Sequence, residues 1–542
     1  MANGNLISLD GHSLAFEDIV AIARGVNGRY PEVILSDDAR KRIKKGREHL
    51  EQIDGCEQVI YGYNTGVGDN KSVIISEESR RRQQRKYIMT HACGDGHPAP
   101  IDVVRATMAL RVNQFCIGNS GVTLKLCERI LQLLNLDVIP VIPKFGSLGA
   151  SGDLAPLAHI GAVLIGLPWT EVWFKGKKKP TQEVFDALSI SSLILYAKEA
   201  MALTNGCTYT LAYGLLSVRD AEDCLRLANI NVALGLEATR GILDAFDPRI
   251  HELRNQSGQI VVAKEIRRFI EGSKRVSEEA RHVKFDHDFE SCYKNDRVQD
   301  AYAFRCVPQA HGAVLDVIND TKDKLTKEIN AATDNPLFFC GEKGLESLSG
   351  GNFHGDVLGM YFDLMGIALA KLGNISNARF FRLINRDLSY GLPQDLSGSG
   401  ESDDNGFMIA HYTASALTAL NRTLACPAST ENIITAGGQE DYVSMAFNSA
   451  WKLRKIVRNT FWLLGKETLT ACQGISLATG PLKEKDLDEL GKSTGQVYQF
   501  IRDHIPPMKE DRSLYPDFQD FFRLIEDGSL FDICVVEEKK DV

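Results

Sequence analysis

From Asp441 to about Ala478 the chain runs without a proline and with only two glycines, Gly465 and Gly474. A helix spanning most of that stretch is about 50 Å long at about 1.5 Å per residue. No single small domain buries the apolar stripe of so long a helix, so such helices pack as bundles, often between subunits. The same 3.6-residue periodicity recurs over residues 185–248, 311–333, 354–380 and 406–425. Ahead of about residue 200 the pattern is mixed. Short β-like pieces at Val59–Tyr61 and Val138–Ile142 alternate with helical patterns and glycine-rich loops such as Gly62–Gly68. The expected fold is mainly α: a long-helix bundle core with a smaller mixed α/β N-terminal part. The expected division is residues 1–200 for that part, 201–480 for the bundle and 481–542 for a C-terminal helical segment.

A formal net charge of −9 argues against nucleic acid or an anionic membrane as partner. The basic runs are local. Arg80-Arg81-Arg82 with Arg85 and Lys86 falls in a polar helical stretch, and Lys177–Lys179 after Gly176 reads as an exposed turn; both suit solvated faces. Twelve cysteines are scattered with no Cys-x-x-Cys pair and no His/Cys cluster at metal spacing. Cys116, Cys127 and Cys472 sit in apolar helical stretches, where free cysteine behaves as a small hydrophobe. The N-terminal residues lack a charged segment followed by an apolar one, and the longest apolar stretch, Leu154–Trp169, holds His159 and two prolines. The expectation is a cytoplasmic protein with no disulfide framework, no metal and no membrane span.

Within the N-terminal part, Gly149-Ala150-Ser151-Gly152-Asp153 is an unusual run of small residues. The Gly152 nitrogen has no Cβ beside it and reaches strained backbone angles. The carbonyl two residues back belongs to Ala150, nearly as small, and Ser151 between them carries a hydroxyl that can leave as water. Ring closure with loss of two waters would give a methylidene-imidazolone (MIO), an electrophile that no ordinary side chain supplies. Taken alone, the run also suits a tight turn between apolar segments.

Other loops carry chemistry-bearing groups. Tyr61-Gly62-Tyr63-Asn64-Thr65-Gly66-Val67-Gly68 places two tyrosines in a glycine-rich segment of the kind used for mobile lids, or packs them against neighbours. Gln299, Tyr302 and Arg305 fall at i, i+3 and i+6, along one side of a helix or extended turn. Arg305 suits a bidentate carboxylate clamp, or a surface pairing with Asp300. Asn205 interrupts an apolar helical pattern within Thr204-Asn205-Gly206, to bond a ligand or cap the break. Gly350–Gly355 reads as a turn into a helix, with Asn352 at the N-cap and Phe353 lining a pocket or the core. Glu440 and Asp441 precede the long helix, where carboxylates complement its positive end.

Together these strings resemble the histidine and aromatic amino acid ammonia-lyase family, including its aminomutases. The matching pieces are YGYNTGVG, GSLGASGDLAPLAH, LTNG, QDAYAFRC, TDNP, GGNFH, QEDYVSM and ACQG, in the family's order over roughly residues 55 to 480. The resemblance implies a mainly α-helical homotetramer whose active sites draw loops from more than one subunit. It makes Ala150, Ser151 and Gly152 the MIO triplet and Tyr61 the base that removes the β-proton. Asn205 and Tyr302 match residues that support the MIO and the bound amine, Arg305 the carboxylate-binding arginine, and Gln299 and Phe353 pocket residues. The implied reaction is loss of ammonia from an L-amino acid, leaving an α,β-unsaturated acid.

Glu440 discriminates among substrates. Its Gln-Glu-Asp setting resembles histidine enzymes, whereas phenylalanine and tyrosine enzymes carry Asn-Gln-Asp. A carboxylate can bind or exchange a proton with an imidazole, but beside a phenyl ring it is desolvated without a partner. His91 after Thr90 resembles the Ser-His pair of histidine enzymes, and Gly406–Ala410 and Cys426–Ser429 lean the same way. Thr90 for serine and Tyr442 where histidine is usual depart from the histidine pattern, and Gly355 and the Leu388–Pro393 run lean toward the tyrosine branch. The main expectation is histidine converted to trans-urocanate, with a tyrosine or phenylalanine ammonia-lyase or 2,3-aminomutase as the alternative.

Overall fold

The computed structural model describes residues 6–52, 59–66, 71–276, 298–341, 344–401, 403–478, 489–526 and 528–533. Val67 and Gly68 of the tyrosine loop lie outside the described residues. The chain is mainly helical, and its longest helices are Thr208–Thr239, Asp356–Ile384 and Ala446–Ala478. The last has 33 residues, which at about 1.5 Å each is about 50 Å.

Two compact units divide the chain. One comprises Met1–Arg219, Thr321–Asp363 and Pro427–Arg454; the other comprises Asp220–Asp320, Leu364–Cys426 and Lys455–Val542.

Among the described residues all strands belong to the first unit, in four small sheets. Leu6–Leu9 pairs parallel with Glu32–Leu35. Asp95–Pro98 pairs antiparallel with Pro143–Phe145, and Ile139–Pro140, Glu171–Phe174 and Lys177–Pro180 form an antiparallel three-stranded sheet. Leu337–Gly341 and Gly344–Leu348 form a hairpin. The unit's core includes the helix Ile101–Phe115, buried on every face from Val103 to Phe115, and the helix Leu154–Leu164, buried from Ala155 to Leu164 and packed against the helices Glu77–His91 and Glu199–Thr204.

The second unit is helical and held partly by buried polar contacts. Arg379 Nε meets Glu467 Oε1 at 2.6 Å with both side chains fully buried. Glu467 also accepts from Ser376 Oγ and, at 3.3 Å, from Asn231 Nδ2.

Three local expectations are corrected. Val59–Tyr61 is not a strand: Tyr63 N–H and Asn64 N–H both turn back to the Ile60 carbonyl at 3.2 Å. Lys177–Lys179 lie on a strand, and the turn is Lys175-Gly176, both at positive φ. The long helix starts at Ala446 rather than near Asp441, because Met445 has φ +52°, outside helical geometry. The described residues contain no helix long and apolar enough to cross a membrane and no group of three or more His, Cys, Asp or Glu placed to hold a metal.

Candidate active site

The loop before helix Leu154–Leu164 is braced at nearly every residue. Ser147 Oγ accepts from Gly149 N–H at 3.1 Å and donates to Asp153 Oδ1 at 2.6 Å. Asp153 is fully buried and also accepts from Thr210 N–H at 2.8 Å and Thr210 Oγ1 at 2.5 Å. Burial pushes its carboxyl above the usual range, and these hydrogen bonds oppose the shift. The Gly149 carbonyl accepts from Gly355 N–H at 3.0 Å and Ser444 Oγ at 2.8 Å. Ala150 packs with Val443 and Met445.

Gly152 needs to be glycine for two reasons. Its φ is +91°, and a Cβ there would stand 2.2 Å from Gly206 N. The two glycines pair as a short parallel bridge, with Asp153 N–H donating to the Gly206 carbonyl at 2.9 Å. This brings the end of helix Glu199–Thr204 against the loop. Asn205, extended at φ −74° and ψ 147°, ends that helix. Its Nδ2 donates to the Ser151 carbonyl at 3.2 Å, and Gly206 N–H donates to the same oxygen at 3.4 Å. Two donors thus converge on one carbonyl.

On the other side of Ser151, its Oγ donates to Glu440 Oε1 at 2.5 Å. Glu440 Oε2 accepts from Thr435 Oγ1 at 3.1 Å, and a Thr435–Glu440 bridge holds the segment. Asp441 does not lie at the long helix's first turn, which begins five residues later.

His91 ends the helix Glu77–His91. Its ring stacks on Tyr87 at 3.7 Å between centroids, and Nδ1 lies 2.8 Å from the Tyr87 carbonyl. Burial pulls the His91 pKa below its ordinary value, with the Tyr87 carbonyl and the Glu440 charge opposing. Nδ1 is therefore the protonated nitrogen of a neutral ring, which leaves Nε2 as an acceptor. Tyr87 donates to or accepts from Thr204 Oγ1 at 3.2 Å, and burial raises its hydroxyl well above the ordinary range. Tyr61 is half-buried, whereas Tyr63 packs in a core cluster with Ile60, Leu50, Ala197 and Phe338. Phe353 is half-buried, and its carbonyl accepts from Cys207 Sγ at 3.3 Å. Asn352 does not cap the following helix; its Nδ2 donates to the Ala332 carbonyl at 3.1 Å.

Gln299, Tyr302 and Arg305 belong to the second unit. Their i, i+3, i+6 spacing does bring them together: Arg305 Nη1 donates to Gln299 Oε1 at 2.9 Å, and its guanidinium lies 4.8 Å from the Tyr302 ring centre. Tyr302 is 70% exposed. Asp300 turns inward to accept from Ile242 N–H at 2.6 Å. The braces from Ser147, Thr210, Thr435 and Ser444 carried no separate sequence signal, although Ser444 lies inside the QEDYVSM string.

Residues 14–503 match the family model described as aromatic amino acid lyase. The histidine ammonia-lyase of Caldanaerobacter subterraneus subsp. tengcongensis is 40% identical over 531 residues, covering 98% of each chain. Among solved structures, the histidine ammonia-lyase of Trypanosoma cruzi is similar at a TM-score of 0.85 and 34% identity, covering 98% of this chain and 95% of that one. The tyrosine aminomutase of Streptomyces globisporus is similar at a TM-score of 0.88 and 32% identity, covering 97% and 98%.

Proposed function

We infer that this chain, which belongs to the aromatic amino acid lyase family, eliminates ammonia from L-histidine and leaves trans-urocanate. Full-length similarity to histidine ammonia-lyases supports that reading. The observation that carries it is Glu440: a carboxylate, not an amide, stands 2.5 Å from the Ser151 side chain.

The residues fit a methylidene-imidazolone formed in the chain itself. Gly152 holds a positive φ against the Gly206 backbone, and Ala150 adds only a methyl group. In that closure the Gly152 nitrogen bonds the Ala150 carbonyl carbon, whose oxygen leaves as water with the Gly152 and Ser151 amide protons. The Ser151 hydroxyl leaves with the Ser151 α-proton as a second water. Such a group would supply an electrophile that activates the substrate for the departure of ammonia.

The other roles fall to this chain's side chains. Asn205 Nδ2 and Gly206 N–H hold negative charge on the Ser151 carbonyl oxygen. Glu440 accepts the imidazole N–H, with His91 Nε2 as a second acceptor in the pocket. Tyr61 removes the β-proton. Arg305, with Gln299 and Tyr302 against it, clamps the substrate carboxylate and fixes the Cα–Cβ bond, and Phe353 lines the pocket. The protein works as a cytoplasmic homotetramer with sites shared between subunits. Exposed Ile409, Tyr412 and Leu420 on the helix Met408–Leu424 support the assembly, and the free buried cysteines support the compartment.

The test is to incubate the purified protein with L-histidine, L-tyrosine and L-phenylalanine in parallel, following ammonia and the organic product. Equal amounts of ammonia and an ultraviolet-absorbing unsaturated acid are expected from histidine. Faster turnover of tyrosine, or a β-amino acid without free ammonia, overturns the reading.

A further inference from the structure

Behind the Ser151 carbonyl stands a buried cation to which, among the described residues, no carboxylate is hydrogen-bonded. Arg111 is 1% exposed, on the buried helix Ile101–Phe115. Its Nη1 donates to the Asn205 carbonyl; its Nη2 donates to Gln114 Oε1 at 2.9 Å and Thr333 Oγ1 at 3.5 Å. Thr333 Oγ1 in turn donates to Gln114 Oε1 at 2.5 Å. All of these partners are neutral, and among the described residues no carboxylate hydrogen-bonds the guanidinium. The nearby Asp334 is taken by Lys198 Nζ at 2.6 Å. Burial pulls the Arg111 pKa down to about 10, with the charges of Asp334 and Asp153 opposing, so it stays protonated at neutral pH. Burying a charge this way is costly, and a hydrophobic side chain of similar volume often serves stability better.

The place where that charge is applied accounts for it. The carbonyl that Arg111 grips belongs to the same peptide group as the Gly206 N–H, and that N–H donates to the Ser151 carbonyl. A cation on one end of a peptide group polarises the other, and hydrogen bonds in series strengthen one another in a low-dielectric interior. The contact is also tight. Gly206 has φ +91°, and a Cβ on it would stand 2.3 Å from Thr333 Oγ1 and 3.0 Å from Arg111 Nη1. The turn is therefore seated directly on the Arg111–Thr333 pair.

We propose that Arg111 is a positioning residue whose charge, relayed through the Asn205–Gly206 peptide group to the Ser151 carbonyl, raises the electrophilicity of the group formed at Ala150-Ser151-Gly152. The proposal rests on the reading that this loop matures.

Arg111→Met removes the charge, Arg111→Lys keeps a charge without the two-pronged grip, and Thr333→Val removes one of the partners that aim Nη2. In each full-length variant, the mass of a peptide spanning Ser151 gives the fraction that has lost two waters. The rate of inactivation by cyanide, a nucleophile that does not need the amino acid pocket, reads electrophilicity per matured site. Histidine kinetics give the split between kcat and KM. Matured Arg111→Met sites should react with cyanide and turn over roughly 10- to 100-fold more slowly. KM should stay within about twofold, since the change strips charge stabilisation and not substrate binding. Arg111→Lys should recover part of the rate. Wild-type cyanide rates in matured Arg111→Met overturn the proposal, however small the matured fraction. Where the Arg111 variants fail to fold or to mature, Thr333→Val decides by the same criterion: slower matured sites support the proposal and wild-type rates overturn it. A wild-type chain without the two-water deficit overturns the earlier reading and this one with it.

Discussion

Replacing Glu440 by glutamine changes one atom type and removes one charge, which makes it the sharpest probe of substrate choice. The amide should keep the side chain in place. Thr435 Oγ1 retains an acceptor, and the backbone bridge is untouched, with Thr435 N–H donating to the Glu440 carbonyl at 2.8 Å. Maturation removes the Ser151 hydroxyl that Oε1 accepts from at 2.5 Å, freeing that oxygen for the substrate's imidazole N–H. A hydrogen bond to a charged acceptor contributes about 1.5–3 kcal/mol against about 0.5–1.5 kcal/mol for a neutral one. Lost binding alone, about 1–1.5 kcal/mol, therefore costs roughly 5- to 12-fold at about 1.4 kcal/mol per decade. If Glu440 also exchanges a proton with the imidazole, general acid–base catalysis adds a factor of roughly 10²–10⁴. We expect kcat/KM for histidine to fall at least about 100-fold, with kcat falling more than KM rises. Activity toward phenylalanine should hold or rise, because a desolvated carboxylate no longer faces the ring. Urocanate absorbance and released ammonia measure both. A variant that keeps histidine kcat/KM within about threefold, well below the smallest binding loss above, refutes the role given to Glu440.

Ser151→Ala has no hydroxyl to lose as the second water, so the peptide spanning position 151 should never show the two-water deficit and activity should fall roughly 10³-fold or more; retained activity would remove the MIO from the mechanism. His159 is pulled down to about 4 by burial, and its Nε2 accepts from Gly94 N–H at 3.1 Å. The unfolded chain then takes up the proton first, so stability present above about pH 6.5 is lost as pH falls toward about 4, by about 2–3 kcal/mol. Urea midpoints across that range should fall more steeply for wild type than for His159→Gln, and equal slopes would discount the residue. Glu467→Gln leaves Arg379 without its buried counter-charge and should destabilise the protein by about 3 kcal/mol with kcat unchanged; a loss under about 1 kcal/mol, the scale of an exposed pair, contradicts that account.

The helices and the electrophile loop were legible because their signals are local. The 3.6-residue period sets the helices, and the run of small residues at 149–152 sets a backbone that only such residues adopt. The Gln299–Tyr302–Arg305 cluster followed from close spacing along the chain, with Gln299 just ahead of the helix Tyr302–Arg305. The braces were not legible because they join distant segments. Ser151 and Glu440 are 289 positions apart, and Ser444 and Gly149 are 295 apart. Where local signals misled, a side chain had taken over a backbone group. The aromatic and β-branched Val59–Tyr61 reads as a strand, but Asn64 Oδ1 captures the Ile60 N–H at 2.7 Å. The acids before the long helix read as its first turn, but Asn432 Oδ1 takes the Val443 N–H at 2.9 Å and Met445 turns left-handed before the helix starts. Arg111 had no part in the sequence reading, because its grip on the Asn205 carbonyl joins residues 94 positions apart.

Reaction type and substrate choice are held by different kinds of structure. Buried polar groups from Ser147, Thr210, Gly355 and Ser444 fix the loop that becomes the electrophile, and each would be left unpaired if that loop shifted. Glu440 instead hangs from one short bridge to Thr435 in a segment whose other residues from 431 to 439 are exposed. Unpairing that bridge opens few buried groups to penalty, so the segment can change without disturbing the loop. Glu440→Gln should therefore mature as fully as wild type, with the two-water deficit intact, even as histidine turnover collapses. A Glu440→Gln chain that kept its full mass would show the reverse: that the substrate-facing carboxylate also helps to expel the Ser151 hydroxyl, and that the two layers are chemically one.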